Sequence, residues 1–220
     1  MRRPEICACV TSATDMSAAI AVSGSVSLYE VRIDLIGDDW PEVAVALPGP
    51  WIACDRLAAQ GGACRDPEHV RLDTLKRAVD LGAMIIDVEL DTPNVELFVA
   101  SVKGRASVLI SHHDLVKTDD AEVLAAIVKR QADVGADICK LVTTASVVAD
   151  NVTVLRLARR FASAPIVTFA MGSLGITSRV LAPLAGSRFT YASLAEGHEA
   201  APGQLTVDQL QAMYDVMEVT

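Results

Sequence analysis

The chain has 220 residues, of which 51% are hydrophobic and 4% aromatic, and a formal net charge of -9. That length and apolar content suit one well-cored domain, 1–220, and the negative balance without a long basic run argues against nucleic acid or an anionic membrane surface as partner. Five cysteines at 7, 9, 54, 64 and 139 form no CxxC pair, the apolar stretch of MRRPEICACV is too short for a signal peptide, and no run approaches about 18 apolar residues; a reducing, cytoplasmic setting is expected.

In chain order, short aliphatic runs alternate with helical patterns. A strand at 6–11 leads to a helix at 15–22, and a strand at 27–34 to a short helix at 40–46. The strand at 51–54 is followed by a helix at 67–81, that at 83–89 by 95–102, and that at 106–111 by 120–134. The last three pairs are 136–142 with 146–161, 165–168 with 176–182, and 187–191 with 207–216. Thr118 or Asp119, Ser146 and Thr206 are candidate N-caps, and Gly82 and Gly135 follow two helices as C′ residues. Eight such alternations without a linker predict an α/β fold, a single (β/α)8 barrel built on aliphatic strands buried on both faces. A doubly wound open sheet is the runner-up, but its GxGxxG or GxxxxGK[ST] turn is missing from the sequence.

In such a barrel, reactive groups come from the C-terminal ends of the strands. Glu30, Arg32 and Asp34 alternate with Tyr29, Val31 and Ile33, so they share one strand face. Asp55 and Arg56 follow the third strand, Asp87 and Glu89 share a face of the fourth, and the fifth delivers Ser111 and His113. The sixth delivers Lys140, on the face of Ala136 and Ile138; Ser173, Ser178 and Arg179 follow the seventh, and Gln204 the eighth. Three arginines, a lysine, a histidine and a glutamine on one rim suit a small anionic substrate and a nucleophile. An ammonium in an apolar strand costs several kcal/mol unless paired or deprotonated, so Lys140 is either a paired structural cation or the nucleophile. His113 is either a hydrogen-bonded core residue or an acid-base group. His112 is expected to face the helix layer, Glu30 and Arg32 to form an interior ion pair, and His69 and His198 to be solvated. No HxH or HExxH spacing appears and Lys140 would repel a cation, so no metal is expected.

The ordered motifs ExRxD at 30–34, Arg56 followed by Gly-Gly at 61–62, DVEL at 87–90, SHHD at 111–114, GADICK at 135–140, MGSLGITSR at 171–179 and APGQL at 201–205 resemble type I 3-dehydroquinate dehydratase, the imine-forming lyase of the shikimate pathway, over nearly the full length. The resemblance implies a dimeric (β/α)8 barrel with no cofactor and no metal, dehydrating 3-dehydroquinate to 3-dehydroshikimate. It implies Lys140 as the Schiff-base lysine and His113 as the proton-shuttling histidine. Arg179 and Gln204 match positions that hold the substrate carboxylate and hydroxyls, and Glu30, Arg32 and Arg56 line the rest of the pocket. Two positions depart from the family pattern: Gln60 stands where a glutamate commonly partners the histidine, and Ala200 where a serine often touches substrate. Other readings are a class I aldolase-type lyase, which would want a phosphate-binding turn better than GSLG at 172–175, and a ligand-binding relative weakened by Gln60 and Ala200. For attack near pH 7 the Lys140 pKa should fall; burial and the arginines push it down while Glu30 pushes it up.

Overall fold

A computed structural model describes residues 3–219. The aliphatic runs form strands β1 (Glu5–Val10), β2 (Leu28–Arg32), β3 (Trp51–Cys54), β4 (Ile85–Glu89), β5 (Ser107–His113), β6 (Ile138–Thr144), β7 (Ile166–Met171) and β8 (Phe189–Ser193). A two-residue strand, β9 (Leu205–Thr206), adds to β8. Every pairing is parallel, in the order β7-β6-β5-β4-β3-β2-β1-β8-β9. The helices are α1 (Met16–Ala21), α2 (Ile33–Ile36), α3 (Trp40–Ala46), α4 (Glu68–Asp80), α5 (Val95–Val102), α6 (Ala121–Asp133), α7 (Asp150–Arg160), α8 (Ile176–Ala185) and α9 (Val207–Val216). The architecture is the expected (β/α)8 barrel. Its seam lies between β7 and β8, which share no ladder; there the Arg188 N–H donates to the Ile166 carbonyl at 2.7 Å, and the Thr168 N–H to Ser187 Oγ at 3.3 Å.

Alternation along each strand sends one set of side chains inward and the other toward the helices. Cys7, Leu28, Ile52, Ile85, Leu109 and Ile138 fill the lower barrel interior, while Ile6, Val31, Ile86, Val88 and Ile110 pack with Leu75 and Leu210 beneath the helices. Leu109 is fully buried, and truncating it to Ala would cost about 2–5 kcal/mol. With the floor plugged by apolar groups, the charged side chains that line the lumen gather at the upper, C-terminal ends.

Several boundaries differ from the sequence expectation in ways that matter for those ends. The strand expected at 27–34 stops at Arg32 because Ile33 and Asp34 open the one-turn α2. Those expected at 106–111 and 136–142 begin later and continue through His113 and Thr144, paired Leu109↔Ile138 to His113↔Val142. Ala136 therefore precedes β6 and packs in the outer layer rather than beside Lys140. Gly82 and Gly135 take the positive φ expected of C′ residues, and Thr206 caps α9 in a box with Gln209. Ser146 does not cap α7; the Asp150 carboxylate instead accepts the Ser146 and Val147 amides. Asp120, not Thr118 or Asp119, precedes α6, and the Thr118 hydroxyl instead donates to the Thr144 carbonyl. The five cysteines are free and buried. Among the described residues no helix is long and apolar enough to cross a membrane.

Candidate active site

The strand ends enclose a cavity of about 360 Å³. Glu30, Arg32, Arg56, His113, Lys140, Arg179, Ala200 and Gln204 all line it, together with Gln60. Other residues considered from sequence lie elsewhere. Ser178 is buried in α8, donating to the Gly175 carbonyl and accepting the Ala170 amide. His112 lies outside the lining, 3.8 Å from Asp91, and His69 is exposed. His198 is not simply solvated: its Nδ1 lies 2.7 Å from the buried carboxylate of Asp15.

Lys140 is 5% exposed, and its Nζ donates to Asp87 Oδ2 at 2.9 Å and Glu30 Oε1 at 3.3 Å. Burial works against the charged form, but the Asp87 and Glu30 carboxylates outweigh it, and the pKa of Lys140 lies above the ordinary lysine value. The fall in pKa wanted for attack is thus not met in the unliganded site; Lys140 rests as an ammonium. Asp87 is itself held by Arg56 Nη2 at 2.6 Å and Ser111 Oγ at 2.6 Å. Its own burial would raise its pKa, yet Arg56 and Lys140 hold it well below the usual carboxylate range.

His113 is half-buried, and its backbone N–H donates to Gln60 Oε1 at 2.8 Å. That amide hydrogen can only donate, so it fixes the oxygen of the Gln60 carboxamide on this side. Nδ1 of the same histidine lies 3.3 Å from that oxygen and must carry the proton, which leaves Nε2 as the basic nitrogen. Burial of the ring, then the charges of Arg56 and Lys140, push the His113 pKa well below its ordinary value, so the ring is neutral near pH 7. The loop that brings Gln60 here depends on Gly62, where a Cβ would meet the Arg56 carbonyl at 2.1 Å.

The three pocket arginines are not equivalent. Arg32 is paired bidentately with Asp34 at 2.9 and 2.7 Å, and Arg56 with Asp87 and Glu89 at 2.6 and 2.8 Å. Arg179 is 1% exposed and, among the described residues, has no carboxylate partner. Its guanidinium stacks on Phe169 at 4.4 Å, Nη2 donates to the Pro202 carbonyl at 3.3 Å, and Nε, also buried, meets no acceptor among the described residues. Burial without a counter-charge pushes its pKa down to about 10, so it remains charged. Gln204 donates to Cys9 Sγ at 3.1 Å and accepts the Ala200 amide at 2.6 Å. Its APGQL segment lies against the β7–α8 loop so closely that a Cβ at Gly203 would meet the Gly172 carbonyl at 2.3 Å, and Gly203 has φ +74.

Strand alternation puts Asp87 and Ser111 on inward faces but does not by itself assign them to the site; Asp87 is the nearer carboxylate to Lys140. Cys9, Phe169, Met171 and Tyr191 also line the cavity, and only inward register on β1, β7 and β8 could have pointed to them. Glu30, Cys54 and Asp87 bring ligand atoms within 4.8 Å of one another, the one such metal-capable group among the described residues. Lys140 and Arg56 already hold its carboxylates, so a divalent ion would meet two buried cations there.

Residues 6–220 match the Type I 3-dehydroquinase family. A 3-dehydroquinate dehydratase from Dehalococcoides mccartyi is 40% identical over 214 residues, covering 97% of this chain and 96% of that one. One from Thermococcus gammatolerans is 36% identical over 198 residues, covering 89% and 90%. Among solved structures, a type I 3-dehydroquinate dehydratase from Clostridium difficile with covalent modified comenic acid superposes with TM-score 0.86 at 22% identity, covering 99% of this chain and 93% of that one, a likeness of fold. A strand-end pocket holding a buried lysine and a neutral histidine, in a chain matched from residue 6 to residue 220, places this protein in the type I 3-dehydroquinase family of hydro-lyases.

Proposed function

We propose that the chain dehydrates 3-dehydroquinate to 3-dehydroshikimate through an imine on Lys140. The observation that carries this reading is that one cavity holds a buried lysine, a histidine whose Nδ1 contact leaves Nε2 basic, and a buried arginine whose Nε meets no acceptor among the described residues. Arg179 would take the substrate carboxylate through Nε–H and an Nη–H, satisfying a buried donor that otherwise costs about 1–3 kcal/mol. Gln204, Arg32 and the Ala200 segment would meet the hydroxyl side of the ring.

Lys140 first gives up a proton to His113, and its Nζ bonds to the ketone carbon. The carbonyl oxygen takes one proton from Nζ and the other back from His113 to leave as water, giving the iminium and neutral His113. His113 Nε2 takes a proton from the carbon beside the iminium, and the electron pair enters the conjugated enamine. The same histidine, now protonated, delivers that proton to the hydroxyl on the next carbon, which departs as water. Hydrolysis of the imine consumes one water and frees product and lysine. The net change is loss of one water, and the chain's own side chains carry every proton. Asp87 and Glu30 keep the nucleophile protonated at rest, so substrate binding must loosen those contacts before attack.

An aldolase-type lyase acting on a sugar phosphate is less well supported. The turn at 172–175 already uses two amides internally, Gly172 N–H to the Pro202 carbonyl and Gly175 N–H to the Gly172 carbonyl, each at 3.0 Å. We also read the chain as one cytoplasmic domain working as a homodimer, and light scattering of the purified protein checks the dimer directly. The activity is tested by adding 3-dehydroquinate and following the ultraviolet absorbance of the conjugated product. Growth of that absorbance is expected; its absence with folded protein contradicts the proposal and favours a ligand-binding role.

A further inference from the structure

Tyr191 was not among the residues that the sequence placed in the site. It lies on β8, opposite Cys7 of β1, and is 3% exposed. Lys140 Nζ sits over its ring, 4.3 Å from the centroid. The ring is clamped edge-on by Phe169, with centroids 6.1 Å apart and planes at 64°, and by Phe189, at 5.4 Å and 75°. Its hydroxyl is buried and has no partner among the described residues, so the part of Tyr191 offered to the nucleophile is the ring face.

We propose that Tyr191 is a further catalytic residue, whose ring face carries the positive charge of Nζ once Lys140 becomes an iminium; this rests on the lysine imine proposed above. As an ammonium, Nζ has three N–H groups and meets Asp87 at 2.9 Å and Glu30 at 3.3 Å as well as the ring. When the N–C bond to the substrate forms and the carbonyl oxygen leaves as water, two of those N–H groups are gone while the positive charge stays on nitrogen. The carboxylates can then share a single donor. The attraction of a cation to an aromatic quadrupole needs no N–H, so the ring contact survives the step that removes the hydrogen bonds. Its share of the charge stabilisation therefore rises from ammonium to iminium, the direction in which an interaction speeds a reaction. The clamp from Phe169 and Phe189 keeps the face presented without reorganisation.

Fluorination tests this, since it weakens the ring quadrupole with little change of size. Phe and its mono-, di- and trifluoro analogues are placed at position 191, with Tyr191→Phe as the reference because it keeps the face. The rate of borohydride trapping on Lys140 in the presence of 3-dehydroquinate is then measured alongside kcat, KM and thermal unfolding. The trapping rate and kcat are expected to fall stepwise with fluorination, by about tenfold at the most fluorinated ring, with KM and the unfolding midpoint moving little. Tyr191→Leu should fall at least as far. If that variant fails to fold, the fluorinated series still decides, because its members are near-isosteric. Trapping rates that stay level across the series, or that track only the unfolding midpoint, overturn the role of Tyr191 while leaving the imine standing. Absence of any Lys140 adduct in the unsubstituted protein overturns both.

Discussion

The carboxamide oxygen of Gln60 accepts the backbone N–H of His113 at 2.8 Å and lies 3.3 Å from the Nδ1 of the same residue. One acceptor thus fixes both the position and the tautomer of the proposed base, and it does so with a neutral group. The consequence is electrical. An amide orients the ring but gives little stabilisation to the imidazolium, and the ring, enclosed and facing Arg56 and Lys140, keeps a depressed pKa.

Gln60→Glu is therefore expected to raise the pKa of His113. A base with a depressed pKa stays neutral to lower pH, so the acid limb of kcat/KM in the natural protein should lie below about pH 6.5, the ordinary histidine value. Adding the carboxylate should move that limb upward and change the rate by about tenfold, without creating or abolishing activity. Superimposable pH profiles would mean that Gln60 does not govern His113.

Arg179→Lys keeps a charge but loses the planar fork and the Nε–H. KM for 3-dehydroquinate should rise about tenfold or more, with a smaller change in kcat. An unchanged KM in steady-state kinetics would move the carboxylate elsewhere, although Arg32 and Arg56 are already paired with acids.

Asp87→Asn removes the nearer carboxylate that holds Lys140 as an ammonium. The lysine pKa should fall, so imine trapping at a given subsaturating pH should accelerate and its rise with pH begin lower. Arg56 loses one of two acid partners, and a stability loss of about 3 kcal/mol is expected from thermal unfolding. A trapping profile displaced to higher pH would contradict the electrostatic reading of the site.

The segment between β8 and β9, which carries Ala200 and Gln204, is tied down by His198, whose Nδ1 meets Asp15 Oδ1 at 2.7 Å. The other Asp15 oxygen accepts the Thr11 and Ser12 amides at 2.7 and 3.0 Å, so the anchor is rigid. His198→Ala should raise KM about threefold to tenfold with kcat nearly unchanged, and His198→Asn, which still offers an N–H, should recover part of the loss. Equal loss in both variants would show that the contact does not position the segment.

The barrel was legible because its signal is repetitive: aliphatic strands buried on two faces alternate with amphipathic helices, and each repeat reinforces the others. Strand ends were less legible for a physical reason. Hydropathy falls at Ser111 and after Val142, where the lumen opens into the cavity, yet the backbone ladder continues to His113 and Thr144. Of the eight site candidates, Glu30, Arg32, His113 and Lys140 lie on strands where inward register and family motifs agree, while Arg56, Arg179, Ala200 and Gln204, past the strand ends, rest on chain position and motif. Asp87 and Tyr191 escaped because their roles come from neighbours brought by β6, distant in sequence. The state of Lys140 was unreadable for the same reason: its pKa is set by competition between burial, two acids and Arg56, and only distances of 2.9 and 3.3 Å to the acids settle its direction.

The most direct test of the account is reductive trapping. Borohydride is added to the protein with 3-dehydroquinate, the digest is weighed by mass spectrometry, and the same is done for Lys140→Ala. The account predicts one ligand-sized adduct on the peptide containing Lys140, inactivation in step with its formation, and neither adduct nor turnover in a Lys140→Ala protein that still folds. Continued turnover with no adduct at Lys140, or an adduct on another lysine with Lys140→Ala still active, would contradict it.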